Sequence, residues 1–328
     1  MKPKTLQDAV KYFSDPENCM NWLKAKRWPD GVPVCPTCGR GDATYLPESQ
    51  KWQCKSAHKS RQFSARVGTI FEDSPIPLEK WLVALWMVCN CKNGISSYEI
   101  HRTVGVTQKS AWFMLHRIRL AMQSGSLMKM GGDGGEVEAD ETFIGGRGKN
   151  MHKSRKHHLH QVRSTQRQGD IYPGKTAVMG ILDRDSRQIR AKVIPNLKRN
   201  TLQGMVLSEV SKGAKLYTDT QASYDGLSKE YVHEIVNHMT EYVRGQVHTN
   251  GMENFWSLLK RTIGGTYVCV EPFHLNKYVD EQVFRFNNRA TKKRNVTDVD
   301  RFDLALTGAI GKRLIYAEVT GKVGETSF

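Results

Sequence analysis

The sequence predicts an α/β protein: a mixed sheet flanked by helices, preceded by a metal-stapled ribbon and a helical unit. Three observations predict it. Cysteine and histidine residues stand at metal-ligand spacing between residues 31 and 72, and apolar residues recur at helical spacing between 73 and 130. Past a glycine-rich stretch, three strand-like segments are followed by alternating helix and strand.

Residues 1–30 read as a helical lead-in, with Leu6, Val10, Phe13 and Trp22 at helical spacing and Asp15-Pro16 as a break or fresh helix start. In residues 31–72, glycine, proline and cysteine punctuate short strands at Ala43–Leu46 and Lys51–Cys54. Here Cys35-Pro-Thr-Cys38 is a C-x2-C knuckle, and Cys54 with His58 forms a C-x3-H pair. Two such pairs close a tetrahedron around a structural Zn²⁺, which holds together a segment too small to build its own core. The rival reading is a redox-active first knuckle with Cys54 and His58 merely flanking a loop. The seven cysteines are odd in number and mostly in the first third, which does not resemble an extracellular disulfide framework and fits a reducing cytoplasm.

Residues 73–130 read as a helix-turn-helix-like unit. Ser96 or Ser97 caps a helix through Val104, Gly105 turns, and Thr107 caps a second helix carrying Lys109, Arg117 and Arg119 as candidate DNA contacts. The alternative is an all-α linker with solvated charges. The glycines Gly131 to Gly135 read as a hinge, and the main boundary is placed there. In residues 131–290 strands are expected at Val137–Ile144, Ala177–Asp183, Ile189–Ile194, Lys215–Thr218 and Tyr231–Val236, with helices at Thr201–Ser211 and from about Gly251. That order matches an RNase H-like fold. Residues 291–328 are left as a C-terminal tail.

Charge and hydropathy narrow the function. Lys and Arg (49) exceed Asp and Glu (33), a net charge of +16, which favours a polyanion such as nucleic acid. The longest apolar run, Trp81 to Cys89, is far short of the ~20 residues that span a membrane, and the first residues lead into no signal-like segment. The basic stretch Arg147 to Lys175, with Arg147, Lys149, Arg155 and Lys156, reads as a phosphate-binding loop that orders on DNA; its histidines are too irregular for a metal site.

The carboxylates carry the chemistry. Strand alternation puts Glu138, Asp140 and Thr142 on one face, and a buried Asp asks for a neighbouring cation. Asp219 ends a strand, where sites of α/β sheets gather, and Glu253 stands near a helix start. Three carboxylates from two strands and a helix can hold two Mg²⁺ or Mn²⁺ ions for phosphoryl transfer. Each has a plainer reading: a salt bridge for Asp140, a turn for Asp219, a capping box with Asn250 for Glu253. Beyond Glu253, Met252, Phe255, Trp256, Leu259 and Ile263 make one apolar stripe, and Lys260, two turns beyond Glu253 on a different, polar face, is what a site handling phosphate would use.

These residues resemble bacterial insertion-sequence transposases of the DDE type, in the ISXO-like group that pairs a zinc ribbon with an RNase H-like core. The resemblance rests on Cys35-Pro-Thr-Cys38, Ala139-Asp-Glu-Thr-Phe-Ile-Gly-Gly146, Tyr217-Thr-Asp219, Glu253-Asn-Phe-Trp-Ser-Leu-Leu-Lys-Arg261 and Phe284-Arg-Phe-Asn-Asn-Arg289. It implies Asp140, Asp219 and Glu253 as the catalytic acids, with Asn254 a minor rival for the third. It further implies Lys260, Arg261 and His248 at phosphate, although His248, a polar residue before an Asn cap, is read more simply as bonding the helix start. The implied activity is metal-dependent cleavage of double-stranded DNA at terminal inverted repeats and joining of the freed 3′ hydroxyl to target DNA, by a homo-oligomer acting at the nucleoid. A catalytically silent DNA-binding regulator and a structure-selective nuclease are the alternatives. The second zinc pair departs from the group's usual C-x2-C, which leaves the fourth ligand open.

Overall fold

The computed structural model describes residues 2–123, 125, 128–146, 153–154, 175–219, 222–236, 248–292 and 294–321. The chain forms two compact units, one from residues 1–124 and 288–328 and the other from residues 125–287.

In the first unit, α1 (Leu6–Phe13) opens on a capping box between Thr5 and Asp8, and α2 (Pro16–Arg27) on an Asp15 cap followed by proline. Three short antiparallel strands follow, β1 (Thr44–Leu46), β2 (Lys51–Gln53) and β3 (Gln62–Phe63). Helix α3 (Leu78–Asn90) takes up the apolar run seen in the sequence and buries it almost entirely. A Ser96–Glu99 capping box starts α4 (Ser97–Val104), Gly105 in the left-handed conformation ends it, and Thr107 caps α5 (Gln108–Ala121).

The C-terminal segment is not a tail. Residues Asp298–Thr307 form helix α9, whose Phe302, Ala305 and Leu306 recur on one face and are fully buried. Phe302 meets Phe13, Trp22 and Trp86 at ring-centroid distances of 5.2, 5.4 and 5.4 Å. Arg301 bonds the side chain of Asn90 at 2.7 Å. A short helix, α10 (Tyr316–Thr320), follows.

The second unit contains a five-stranded sheet of β4 (Glu136–Ile144), β5 (Thr176–Asp183), β6 (Gln188–Ile194), β7 (Lys215–Asp219) and β8 (Val232–Val236), in the order β6-β5-β4-β7-β8. Strands β4, β5 and β6 pair antiparallel, whereas β7 runs parallel to both β4 and β8. Helix α6 (Arg199–Glu209) covers one face, packing Leu202, Met205 and Val206 against Val137, Ala139 and Ile181. Helices α7 (Asn250–Thr262) and α8 (Pro272–Asn287) cover the other, packing Met252, Phe255 and Leu259 with Val178, Leu182 and Ile189. This is the mixed, helix-flanked sheet the sequence predicts.

The glycine stretch before β4 lies against the sheet of the second unit. Met130 is paired to Glu209 and Ser211 by backbone bonds of 2.8 Å each, and a Cβ on Gly131 would lie 2.6 Å from Val137 and 2.8 Å from Ala214. The glycines let the backbone turn sharply against the sheet. Among the described residues, no helix is long and apolar enough to cross a membrane.

Candidate active site

Strand alternation sorts the carboxylates of β4. Glu138 and Asp140 face α7, and Glu141 faces the opposite side, where Tyr224 lies. Asp140 is half-buried; its Oδ2 accepts from the Trp256 indole at 2.9 Å and its Oδ1 from the backbone N–H of Glu141 at 2.8 Å. Burial pushes its carboxyl up to about 6, and the negative charges of Asp219 and Glu253 push the same way. Asp219 ends the central parallel strand β7, and Glu253 is exposed in the first turn of α7. The fold thus brings together three acids far apart in sequence.

The other acids of β4 are engaged elsewhere. Glu138 is fully buried, with Oε1 accepting from Arg184 at 2.7 Å and Oε2 from the backbone N–H of Met252 at 2.9 Å. Glu141 accepts from the Tyr224 hydroxyl, and burial raises its carboxyl to about 8, with Asp140 and Asp219 adding to the rise. Tyr224 and Arg184 escaped the sequence reading, and Trp256 entered it only as an apolar residue of its helix, not as a donor to Asp140. Alternation alone could have set Glu141 apart from Asp140, but nothing local marks a bond from residue 224 or 256.

The start of α7 overturns the capping box. Thr249 is the cap residue and makes no side-chain cap bond, and Asn250 is already helical. The N–H that a cap side chain would satisfy, that of Met252, is satisfied by Glu138 from β4. Met252, Phe255, Trp256, Leu259 and Ile263 are buried as the stripe predicted, leaving Glu253, Asn254, Ser257, Lys260 and Arg261 exposed. His248 places Nδ1 3.0 Å from the Arg184 guanidinium, which only donates, so Nδ1 accepts. Only Nε2 of that ring is left to meet a phosphate.

In the first unit, donor atoms of Cys35, Cys38, Cys54 and His58 lie within 4.8 Å of one another. Cys35 Sγ is 3.5 Å from His58 Nε2, and Cys38 Sγ is 3.4 Å from Cys54 Sγ. Thiolate–thiolate and thiolate–imidazole edges of this length suit a tetrahedron with bonds of about 2.0–2.3 Å. The backbone N–H of Arg40 foremost, with the neighbouring thiols, lowers Cys38 to about 6, so it is largely thiolate at neutral pH. Gly39, at φ +75°, makes the turn that brings the first pair around. His58 therefore stands with the three cysteines as a fourth donor that could hold a metal ion.

Residues 133–287 match the family model described as the ISXO2-like transposase domain, and residues 14–60 match the transposase zinc-ribbon domain. The chain belongs to the ISXO2-like transposase family. It is 25% identical over 259 residues to a protein of transposable element ISH50 from Halobacterium salinarum, an alignment covering 77% of this chain and 84% of that one. It is 33% identical over 103 residues to a transposase-like protein of Haemophilus influenzae, covering 31% of this chain and 83% of that one. Asp140, Asp219 and Glu253 all fall inside the ISXO2-like transposase domain, and the four zinc-ligand candidates inside the ribbon.

Two of the expected DNA contacts of this transposase are displaced. Arg117 is buried, donating to the carbonyls of Leu314, Ile70 and Glu72 at 3.0, 2.9 and 2.8 Å and lying over the Phe113 ring. Arg119 is likewise buried. The two point to different sides of α5, which is buried on more than one side along Met114–Arg119, so its basic and apolar positions do not separate into one wet and one packed face. Lys109 remains exposed, its ammonium 5.0 Å from the Tyr316 ring centroid. Arg147, Lys149, Arg155 and Lys156 lie outside the described residues.

Proposed function

We propose that this chain is a DNA transposase that cleaves double-stranded DNA at the terminal inverted repeats of an insertion sequence and joins the ends to target DNA. The observation that carries the reading is the environment of Asp140, whose carboxyl is raised to about 6 chiefly by burial and further by the charges of Asp219 and Glu253. A buried carboxylate beside two other acids is costly to keep charged, and a divalent cation among them relieves that cost.

The donor set is all oxygen, which suits Mg²⁺ or Mn²⁺. Asp140 and Asp219 would hold two ions jointly and Glu253 the second. Such a pair, when bound, supplies an activated oxygen nucleophile and neutralises the leaving oxygen in an in-line displacement. Trp256 fixes the Asp140 carboxylate by its indole N–H, so the acid meets its ligand pre-oriented. Lys260 and Arg261 stand exposed beyond Glu253, suited to hold DNA phosphate alongside the reacting bond. His248 is spoken for at Nδ1 and serves phosphate only through Nε2.

In the first unit, Cys35, Cys38, Cys54 and His58 would bind one structural Zn²⁺, with every corner filled by protein. The α4–α5 pair and Lys109 would engage the terminal repeats, and synapsis of two ends calls for a homo-oligomer on DNA, acting at the cytoplasmic nucleoid. Arg147, Lys149, Arg155 and Lys156 add phosphate contacts in this reading.

The test is incubation of the purified chain with DNA carrying the sequences that flank its coding region, in Mg²⁺, with the Asp219→Asn variant in parallel. The expected products are end-specific cuts and strand-transfer joints from the wild type and neither from the variant. Binding without cleavage would identify a silent regulator, and cleavage without joining a nuclease.

A further inference from the structure

We propose that Arg184 is a positioning residue that fixes the three acids relative to one another. It rests on the reading of Asp140, Asp219 and Glu253 as the metal-binding acids. The side chain leaves the turn after β5 and touches the two strands that carry Asp140 and Asp219 and the segment that leads into the helix of Glu253. Toward β4, the strand of Asp140, its Nε donates to Glu138 Oε1 at 2.7 Å and its Nη1 to Glu136 Oε2 at 3.0 Å. Toward β7, its guanidinium carbon lies 4.2 Å from the ring centroid of Tyr217, two residues before Asp219. Toward α7, its Nη2 donates to the backbone carbonyl of His248 and, at 3.0 Å, to the Nδ1 of the same residue, five residues before Glu253.

The guanidinium plane makes this span. Its donors diverge in one rigid fork, whereas a lysine ammonium is a point charge on a flexible stem and cannot reach three elements in one geometry. The pair it forms is also closed: Glu138 is fully buried and spends its other oxygen on the Met252 N–H at the start of α7. Gly251 admits this approach, since a Cβ there would lie 2.8 Å from Glu138 Oε2 and 2.2 Å from Leu182 Cδ2. Moving Arg184 therefore moves the first turn of α7, and Glu253 with it.

The experiment measures Mn²⁺ binding by the loss of the free-ion paramagnetic resonance signal, on the full zinc-loaded chain well below its melting temperature. Cleavage as a function of Mg²⁺ is followed alongside. Arg184→Lys is expected to weaken Mn²⁺ binding roughly 10-fold and to raise the half-saturating Mg²⁺ by a similar factor, the usual scale for a residue that orients ligands. A merely structural role would lower the melting temperature and leave Mn²⁺ binding by the folded protein unchanged. Should Arg184→Lys fail to fold, the double variant Arg184→Met with Glu138→Gln removes both charges and keeps an acceptor for Met252; it is expected to fold and to bind Mn²⁺ as weakly.

Wild-type Mn²⁺ affinity in either folded variant overturns the proposal, and so does loss of fold in both, which would make Arg184 a general stability residue. The Asp219→Asn control separates the two levels. If it loses Mn²⁺ binding while the Arg184 variants do not, only the positioning role fails. If it binds Mn²⁺ like the wild type, the assignment of the acids fails and the positioning role falls with it.

Discussion

The Trp256 indole donates to Asp140 across 2.9 Å, and the same ring occupies the space that a side chain on Gly180 would need. Gly180 is paired with Asp140 on the adjacent strand, and a Cβ there would lie 2.4 Å from the Met252 side chain and 2.8 Å from the Trp256 ring. The absence of a side chain at residue 180 is thus the condition for the bond at residue 140. Helix α7 is registered on the sheet by two contacts one turn apart, Glu138 to the Met252 N–H and Trp256 to Asp140.

Gly180→Ala should therefore push α7 off the sheet, with overpacking costing about 1–3 kcal/mol and activity falling with it. Thermal denaturation paired with a cleavage assay checks this. An alanine variant that melts and cleaves like the wild type would mean the helix seat is looser than the packing implies.

Trp256→Phe keeps the ring in the apolar cluster and deletes the donor. A hydrogen bond to a charged group contributes about 1.5–3 kcal/mol, so the charged form of Asp140 should become harder to reach and Mg²⁺ affinity should drop by roughly 10- to 100-fold. The Mg²⁺ titration of cleavage reads this directly; an unshifted midpoint rules out a role for the indole at the carboxylate.

The raised carboxyl of Asp140 links stability to pH. Its value rises from 3.8 to about 6 on folding, so the stability it contributes as a neutral acid is fully present below pH 4 and is lost as pH climbs through 6. A shift of this size corresponds to about 3 kcal/mol. His233, held below 6.5 by burial, works in the opposite direction over part of that range, so the comparison is with Asp140→Asn, which lacks the titration. Relative to that variant, the metal-free wild type should lose stability between pH 4 and 7, and Mg²⁺ should restore it in the wild type alone. Parallel stability curves for the two proteins would contradict this.

In the zinc ribbon, His58→Cys should retain one Zn²⁺ per chain, because thiolate replaces imidazole in a fourth corner that His58 Nε2 already reaches, whereas Cys38→Ser should lose the metal and the strand pairing of β1 to β3. Metal analysis with far-UV circular dichroism distinguishes the outcomes. Full zinc retention by Cys38→Ser would remove that residue from the ligand set.

What the sequence disclosed and what it hid divide along a physical line. Periodicity and punctuation are local, so the Thr107 cap, the Gly105 turn, the stripe from Met252 to Ile263 and the strand ending at Asp219 were all legible. Pairings across the chain were not. The start of α7 looked like a local capping box of Asn250 and Glu253, but Glu138, from a strand more than a hundred residues earlier, takes the N–H of Met252 that a cap side chain would have taken. Arg117 and Arg119 looked solvated because charge is usually exposed, but Arg117 finds three carbonyls in the core that no local pattern could announce. The segment after residue 290 looked like a tail because its helix is short, and contacts distant in sequence, Phe302 with Phe13 and Trp86 and Arg117 with the Leu314 carbonyl, give it a place.

The most direct measurement is Mg²⁺-dependent cleavage and strand transfer by Glu253→Gln. Because α7 starts without a capping box and Glu138 satisfies the Met252 N–H, glutamine should leave the fold, the zinc and DNA binding intact. With one metal-binding charge removed, both reactions should fall by at least about 100-fold, a loss of about 3 kcal/mol in transition-state stabilisation. Normal rates from a folded Glu253→Gln would contradict the gathering of these three acids around catalytic metal and turn attention to Asn254 beside it.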